Sequence, residues 1–491
     1  MFPAFTLRYA RLPEHFYERF DPVPVPAPRL VAFNRPLAEE LDFDLTQFDE
    51  TRLAEWFSGN VVPQGAEPVA QAYAGHQFGH FNPRLGDGRA VLLGEVTDRE
   101  GRLRDIQLKG AGMTPFSRGA DGRAPLGPVL REYLVSEAMH RLGVPTTRAL
   151  AAVISGERVF RRVPEPGAVL TRVAASHLRV GTFQYFAARD DREAVRTLAD
   201  MAIERHYFAL NPALAKGDRY LALLEAVAQR QAALVAKWMG LGFIHGVMNT
   251  DNCTISGETI DYGPCAFMEA YSPTMVFSSI DEQGRYAYRN QPWLAQWNLA
   301  RLAETLIPLL HDDQERAVAL ATEVIKRYES LYEAEWLAVM REKLGLLKEE
   351  EGDRELAEAF LEALGAGRAD FTLGFRRLAE AVEVDAPGLA ELFDNDRGLQ
   401  EWLPRWRERL AHEDVGREEI AARMNAVNPL YIPRNHQVER VIAAAAEQDD
   451  FAPFDALREV LAEPFTEQPG REAYAQPAPP TERVFRTFCG T

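Results

Sequence analysis

Two oxygen-bearing side chains, Asn252 and Asp261 in N-C-T-I-S-G-E-T-I-D, have the types and spacing of a divalent-metal clamp. A polar turn at Ser256-Gly257 lies between β-branched residues, and a two-residue hairpin loop there sets Asn252 directly opposite Asp261. Opposed residues of such a pair have Cβ atoms roughly 4.5 to 5.5 Å apart. An amide oxygen and a carboxylate at that spacing can share Mg²⁺, a hard cation that fills its remaining positions with phosphate oxygens and water. A loop centred on Gly257-Glu258 makes the pair diagonal and still permits chelation. Asp251 precedes the amide, so in an extended chain its carboxylate points to the other face, which suits a proton acceptor better than a third ligand.

The surrounding segment, GFIHGVMNTDNCTISGETIDYG, differs from the H-R-D-x-x-x-x-N loop of protein kinases in one place that matters. His245 and Asn252 keep the kinase separation, but Val247 stands where the catalytic Asp is expected. Asp261-Tyr262-Gly263 takes the place of D-F-G. Phosphate-binding groups precede it. In R-L-G-D-G-R-A, Gly86 and Gly88 would let backbone N–H groups approach phosphate oxygens while Arg89 supplies charge. Lys109 ends the strand-like RDIQLK, where a kinase keeps its phosphate-pairing Lys, and Glu137 in the next helix is the partner expected to hold it. Arg172 and Arg179, in LTRVAASHLRVGTF, could clamp terminal phosphates bidentately. His76 and His80 have the spacing of a helical zinc pair, but Gly79 disfavours a helix, and a structural role is expected for both.

The elements that must position these groups fall into two textures. Residues 1 to 70, with DPVPVPAPRL, read as a wrapping extension with short helices. Residues 71 to 180 read as a small β-rich lobe, with AVLLGEV and RDIQLK as a hairpin and 126 to 142 as a helix stopped by Gly143-Val144-Pro145. Residues 181 to 345 read as a helical lobe carrying the metal site, with amphipathic stretches at 192–209, 220–241, 293–310 and 315–344. Residues 346 to 491 read as a helical extension, with a further stretch at 355–366, ending in a Pro-rich tail. The fold class expected is α+β, bilobal and protein-kinase-like.

Composition narrows the function classes. With 491 residues and 46% hydrophobic content the chain can bury a large core. No stretch reaches the ~18 apolar residues of a spanning helix and the first twenty residues hold no secretory signal, so a cytoplasmic protein without membrane association is expected. A net charge of −18 repels nucleic acid as a partner. Three cysteines without a CxxC pair exclude a disulfide scaffold and a structural zinc site.

Together AYAGHQFGHFNPRLGDGRAVLLGEV, QLKGAGMTPFSRGADGRAPL, REYLVSEAMHRLGVPTTRAL, GVMNTDNCTISGETIDYGPCAFMEAY, SSIDEQGRYAYRNQP, WNLARLAETL and NPLYIPRN resemble the selenoprotein O (YdiU) family of kinase-like protein adenylyltransferases, over essentially the whole chain. The resemblance implies transfer of AMP from ATP to Ser, Thr or Tyr hydroxyls of proteins, with the nucleotide reversed relative to a kinase. It implies ATP contacts from Gly86, Gly88, Arg89, Lys109, Asp121, Gly122, Arg172, Arg179 and Asp261. Asn252 and Asp261 would hold Mg²⁺ or Mn²⁺, and Asp251 would accept the proton. Asp121 and Gly122 enter through the resemblance alone. So does a redox pair of Cys265 with Cys489. LGPVLREYL departs from the family's usual lead into its helix, and Cys253 replaces the commoner Met. A γ-phosphoryl-transferring kinase and an inactive pseudokinase scaffold are the competing readings.

Overall fold

The computed structural model describes residues 2–46, 49–161, 163–210, 216–382 and 387–488. Up to residue 174 the chain is β-rich: β1 (Phe5–Thr6), β2 (Tyr17–Arg19), β3 (Arg29–Phe33), β4 (Val69–Gln71), β5 (Gly75–Gln77), β6 (His80–Asn82), β7 (Ala90–Thr97), β8 (Leu103–Lys109), β9 (Ala124–Pro125), β10 (Arg148–Phe160) and β11 (Pro164–Ala174). β5 and β6 form a separate hairpin. Among the described residues the other nine make one antiparallel sheet, in the order β2-β4-β7-β8-β11-β10-β3 with β1 on β7 and β9 on β11. The Pro-rich opening segment therefore contributes strands to both ends of this sheet. Its prolines from 22 to 28 form no helix or strand, because Pro lacks the N–H a ladder needs.

β7 and β8 are the expected hairpin. At their turn Gly101 takes φ +78°, and the Asp98 carboxylate accepts from Glu100 N and Arg102 N, which a reversing polar stretch with Gly permits. The register sets Lys109 beside Ala90 on one side and Leu170 on the other, and Arg172 beside Gln107. Lys109 and Arg172 thus sit on adjacent central strands, offset along them by two residues.

Helices α1 (Arg35–Glu40) and α2 (Glu50–Ser58) cover one face of the sheet. Leu37 and Phe57 there pack with Leu93, Leu108 and Val153. The other face carries α3 (Leu126–Arg141), which is itself covered by the helices Asn435–Gln448 and Ala452–Leu461, so Leu130 and Tyr133 share a core with Val438 and Phe454. The five amphipathic stretches expected beyond residue 180 follow a short helix α4 (Val180–Ala187) as α5 (Arg192–His206), α6 (Lys216–Leu241), α7 (Gln291–Leu310), α8 (Gln314–Leu344) and α9 (Asp353–Ala366). Asp191 and Asp313 cap α5 and α8 by accepting from Ala194 N and Arg316 N. Leu198, Leu224, Leu299 and Leu306 lie in the large core of this helical part. The molecule is the bilobal α+β fold the two textures predicted. No helix among the described residues is long and apolar enough to cross a membrane.

Candidate active site

A cavity of about 760 Å³ opens between the sheet and the helical part, with Arg89, Lys109, Arg172 and Arg179 on its walls and Asp251, Asn252 and Asp261 across from them. Its centre is the Asp261 carboxylate. Oδ1 accepts from Lys109 Nζ at 2.7 Å and from Arg172 Nη2 at 2.7 Å. Oδ2 accepts from Arg179 Nη1 at 3.3 Å. These cations hold the Asp261 carboxyl well below the usual carboxylate range, against the opposing effect of burial. The backbone beneath it is constrained: Asp261 takes φ +63°, a left-handed conformation that Asp tolerates better than most residues. Buried His245 donates Nε2–H to the carbonyl of Ile260 at 2.9 Å, one residue before that bend. Burial lowers the His245 pKa, which suits this neutral, structural donor.

Glu132, and not Glu137, holds the lysine. Lys109 Nζ is 2.5 Å from Glu132 Oε2, and Arg172 Nε lies 3.0 Å from Glu132 Oε1 as an ion-pair contact without hydrogen-bond alignment. Glu137 is five residues on, about 140° further round the helix at 100° per residue, and turns to the Arg148 side of α3. It accepts there from Arg148 Nε and Nη2 and from the Ala149 and Asn34 nitrogens. The pair gives a matched prediction. Glu132→Gln lowers kcat/KM at least about tenfold and also lowers Tm, because the buried cations Lys109 and Arg172 lose the carboxylate that orients and compensates them. Glu137→Gln leaves transfer per folded molecule intact and costs roughly 3 kcal/mol of stability, the lower end for breaking a buried ion pair. Parallel transfer assays and thermal melts check both.

Residues 252 to 262 do not form the expected β-hairpin. Thr254 bridges to Arg179 and Thr259 to Thr146 instead, so the two arms of the turn are drawn to different neighbours. Thr250–Asn252 is a single 3₁₀ turn, in which successive side chains diverge by about 120° instead of 180°. This is why Asp251 and Asn252 face the same cavity rather than opposite sides. Asn252 donates Nδ2–H to Val247 O at 3.0 Å, which leaves its amide oxygen as the group available to the cavity.

Asp251 is buried, with one carboxylate oxygen aligned on no donor. The other accepts weakly from Gln77 Nε2 at 3.3 Å. Burial pushes its pKa up to about 6, against the opposing field of Arg179. Space for the carboxylate comes from Gly75, where an added Cβ would stand 2.6 Å from Asp251 Oδ1. The β5–β6 hairpin braces this turn: His76 N donates to Thr250 Oγ1 at 2.7 Å and Phe78 N to Asn249 Oδ1 at 3.2 Å. His76 accepts from Gln184 Nε2 at its Nδ1, in keeping with the structural role expected of it, and it and His80 lie on a hairpin rather than a helix.

The glycine turn lines the cavity, but it does not form the expected nest. Gly86 N and Asp87 N donate to Tyr73 O and Gln71 O, and Gly88 N folds back onto Gly86 O. What the glycines supply is closeness, since a Cβ on Gly86 would lie 2.3 Å from the Phe116 ring. Asp121 and Gly122 also line the cavity. Asp121 accepts from both terminal nitrogens of Arg161, and Gly122, at φ +65°, packs on the Gly112 carbonyl.

The donor set fits a hard divalent ion. Asn252 Oδ1 and Asp261 offer oxygen donors to the cavity, and among the described residues no group of three or more His, Cys, Asp or Glu is placed to hold a metal ion. Two protein ligands are what Mg²⁺ or Mn²⁺ needs when phosphates and water complete the shell. Cys265 is buried beside Tyr262, with its Sγ 3.5 Å from Tyr262 O. Cys489 lies outside the described residues. Thr487, two positions earlier, hydrogen-bonds the carbonyl of Pro264.

Residues 3–462 match the family model described as protein adenylyltransferase SelO. The chain is 62% identical over 490 residues to a protein nucleotidyltransferase YdiU of Cereibacter sphaeroides and 59% identical over 487 residues to that of Agrobacterium fabrum, covering 99% of each chain in both cases. The YdiU of Bradyrhizobium sp. strain BTAi1 is 59% identical over 490 residues, with the same coverage. A cavity lined by cations and carboxylates thus lies between the β-rich and helical parts of a chain whose relatives are named nucleotidyltransferases. The chain belongs to the SelO (YdiU) family and is a nucleotidyltransferase.

Proposed function

We propose that this enzyme transfers AMP from ATP to Ser, Thr or Tyr hydroxyls of other proteins and releases pyrophosphate. The observation that carries the reading is the relocated carboxylate. Val247 fills the place of the kinase base, while Asp251 lies in the same cavity as Lys109, Arg172 and Arg179 with one oxygen aligned on no donor. A base moved along the loop serves a hydroxyl that approaches a different phosphorus.

In this reading the protein hydroxyl oxygen attacks the α-phosphorus and the bond from that phosphorus to the bridging oxygen of the β-phosphate breaks. The hydroxyl proton passes to Asp251. Lys109, Arg172 and Arg179 carry fixed positive charge to the departing pyrophosphate, in a site where charge is worth more than in water. Arg89, Gly86, Gly88, Asp121 and Gly122 shape the remainder of the nucleotide pocket. Asn252 and Asp261 would hold Mg²⁺ or Mn²⁺, whose chemistry there is neutralisation of phosphate charge. Asp261 already exchanges with three cations, so its role in the loaded enzyme is shared between them and the metal. Cys265 and Cys489 remain a candidate redox pair. The name of the relatives, protein nucleotidyltransferase, supports an enzyme that acts on protein, and the net charge of −18 fits a cytoplasmic enzyme without a nucleic-acid partner.

Incubation with ATP labelled at the α or the γ position tests the assignment. Label from the α position alone becomes covalently attached to protein. Attachment from the γ position alone would make the enzyme a kinase, and none from either, with ATP bound, would make it a scaffold.

A further inference from the structure

Beside the catalytic turn the surface carries an arginine and tryptophan ladder that the nucleotide site does not use. On α7, Trp293 and Trp297 stand one turn apart, and Trp293 is 53% exposed. The Arg285 guanidinium lies 5.6 Å from the Trp293 ring centre and 5.1 Å from that of Trp297. Arg301 lies over the far side of the ladder, 5.0 Å from Trp297. Arg285 and Arg289 have no acidic partner among the described residues, and Arg285 Nε is buried without an acceptor. Arg285 is thus held against aromatic rings without an acidic partner among the described residues, in a chain of net charge −18, while Arg301 is paired with Glu304 at 2.7 Å.

The ladder is joined to Asp251 by short contacts. The His76 ring packs edge-on against Trp297 at 5.3 Å and against half-exposed Phe81 at 4.9 Å. Its neighbour Gln77 donates to Asp251. Arg285 also lies against the hairpin tip at Gly79, and the next residue, Tyr286, donates its hydroxyl to Asn249 Oδ1 at 2.5 Å. A polypeptide resting on the ladder would therefore lie next to the turn that bears the proton acceptor.

We infer that this ladder docks the protein substrate through an acidic segment near the hydroxyl to be modified. The inference rests on the reading of the enzyme as protein-directed. Arg285 and exposed Arg289 supply the charge complement to carboxylates, and the Trp293 and Trp297 rings hold the Arg285 guanidinium so that little of its side-chain entropy is lost on binding. Exposed Trp with Arg is also the composition in which binding energy concentrates at protein interfaces. Single-stranded nucleic acid shares the taste for Arg and aromatic faces, but the global negative charge opposes it.

The test is fluorescence anisotropy with the full-length enzyme and three probes. One is a labelled peptide carrying a single Ser flanked by four Glu, the second the same peptide with Gln for Glu, and the third a labelled oligothymidylate. The Glu peptide binds at least tenfold more tightly than the Gln peptide, and Arg285→Ala with Arg289→Ala together removes that advantage while ATP affinity and Tm stay as in the parent. Equal affinity for the two peptides, an advantage that survives the double variant, or tighter binding of the oligonucleotide would overturn the inference. The measurement involves no transfer, so it stands apart from the α-label experiment on which the activity depends.

Discussion

Asp261→Asn abolishes transfer, with a loss of about three powers of ten or more in kcat, and it also lowers Tm. The two effects have one origin. Lys109, Arg172 and Arg179 converge on this carboxylate at 2.7 to 3.3 Å, and Arg172 is only 2% exposed. Replacing the carboxylate with an amide leaves Glu132 to pair with Lys109 and Arg172 and takes from Arg179 its ion-pair partner among the described residues. Removal of one partner from a buried ionic set typically costs about 3–5 kcal/mol, which this site offsets in part because the cavity admits water. In the proposed mechanism the catalytic loss exceeds what instability explains, since the variant would lack both a metal-ligand charge and the anchor on which the three cations converge. Rates measured well below the variant's Tm, together with ATP affinity from calorimetry, separate the two. Near-parental kcat in folded Asp261→Asn would remove Asp261 from the metal site.

Most of the frame was legible in the sequence because it rests on local rules. The hairpin of β7 and β8 follows from β-rich runs about a Gly-containing polar turn, and α5 to α9 from apolar periodicity. Of the cations singled out in the sequence, Lys109 and Arg172 reach the cavity from strands β8 and β11, and Arg179 from the residue that precedes α4. The site was not legible where tertiary contacts override the local pattern. Thr254 and Thr259 read as partners across a hairpin, yet each bridges to a different strand or loop, and the 3₁₀ turn that results aims Asp251 and Asn252 the same way. Glu132 was hidden by its surroundings: α3 is enclosed by the sheet and by the C-terminal helices, so Arg131 and Glu132 are both buried and no polar face distinguishes an ion-pairing glutamate. The one signal was the charged pair itself, Arg131-Glu132, inside an otherwise apolar run. The same enclosure explains why the residues after 430, remote in sequence, matter to the site: they press α3 and its Glu132 toward Lys109.

Asp251→Asn gives the most diagnostic result, a fall in kcat of about two to four powers of ten accompanied by an unchanged or higher Tm. The rate effect is the range expected for losing a positioned general base. The stability effect runs the other way because the carboxylate is costly to the folded state. It is buried and, among the described residues, one of its oxygens is aligned on no donor and the other accepts from a side chain only in the 3.3 Å contact from Gln77. The peptide carbonyl of Asp251, and not its carboxylate, takes the good bond from Arg179 at 2.9 Å, so the substitution leaves the fold of the turn intact. A neutral amide of the same shape removes the cost of burying a charge. A residue kept for architecture would lose stability when replaced; one kept for chemistry loses rate and gains stability, as strained functional sites do. Thermal melts, ATP affinity and transfer rates on the one variant decide the matter: a Tm lowered by several degrees with kcat within threefold of the parent would make Asp251 a structural residue and leave the proton acceptor to be sought elsewhere in the cavity.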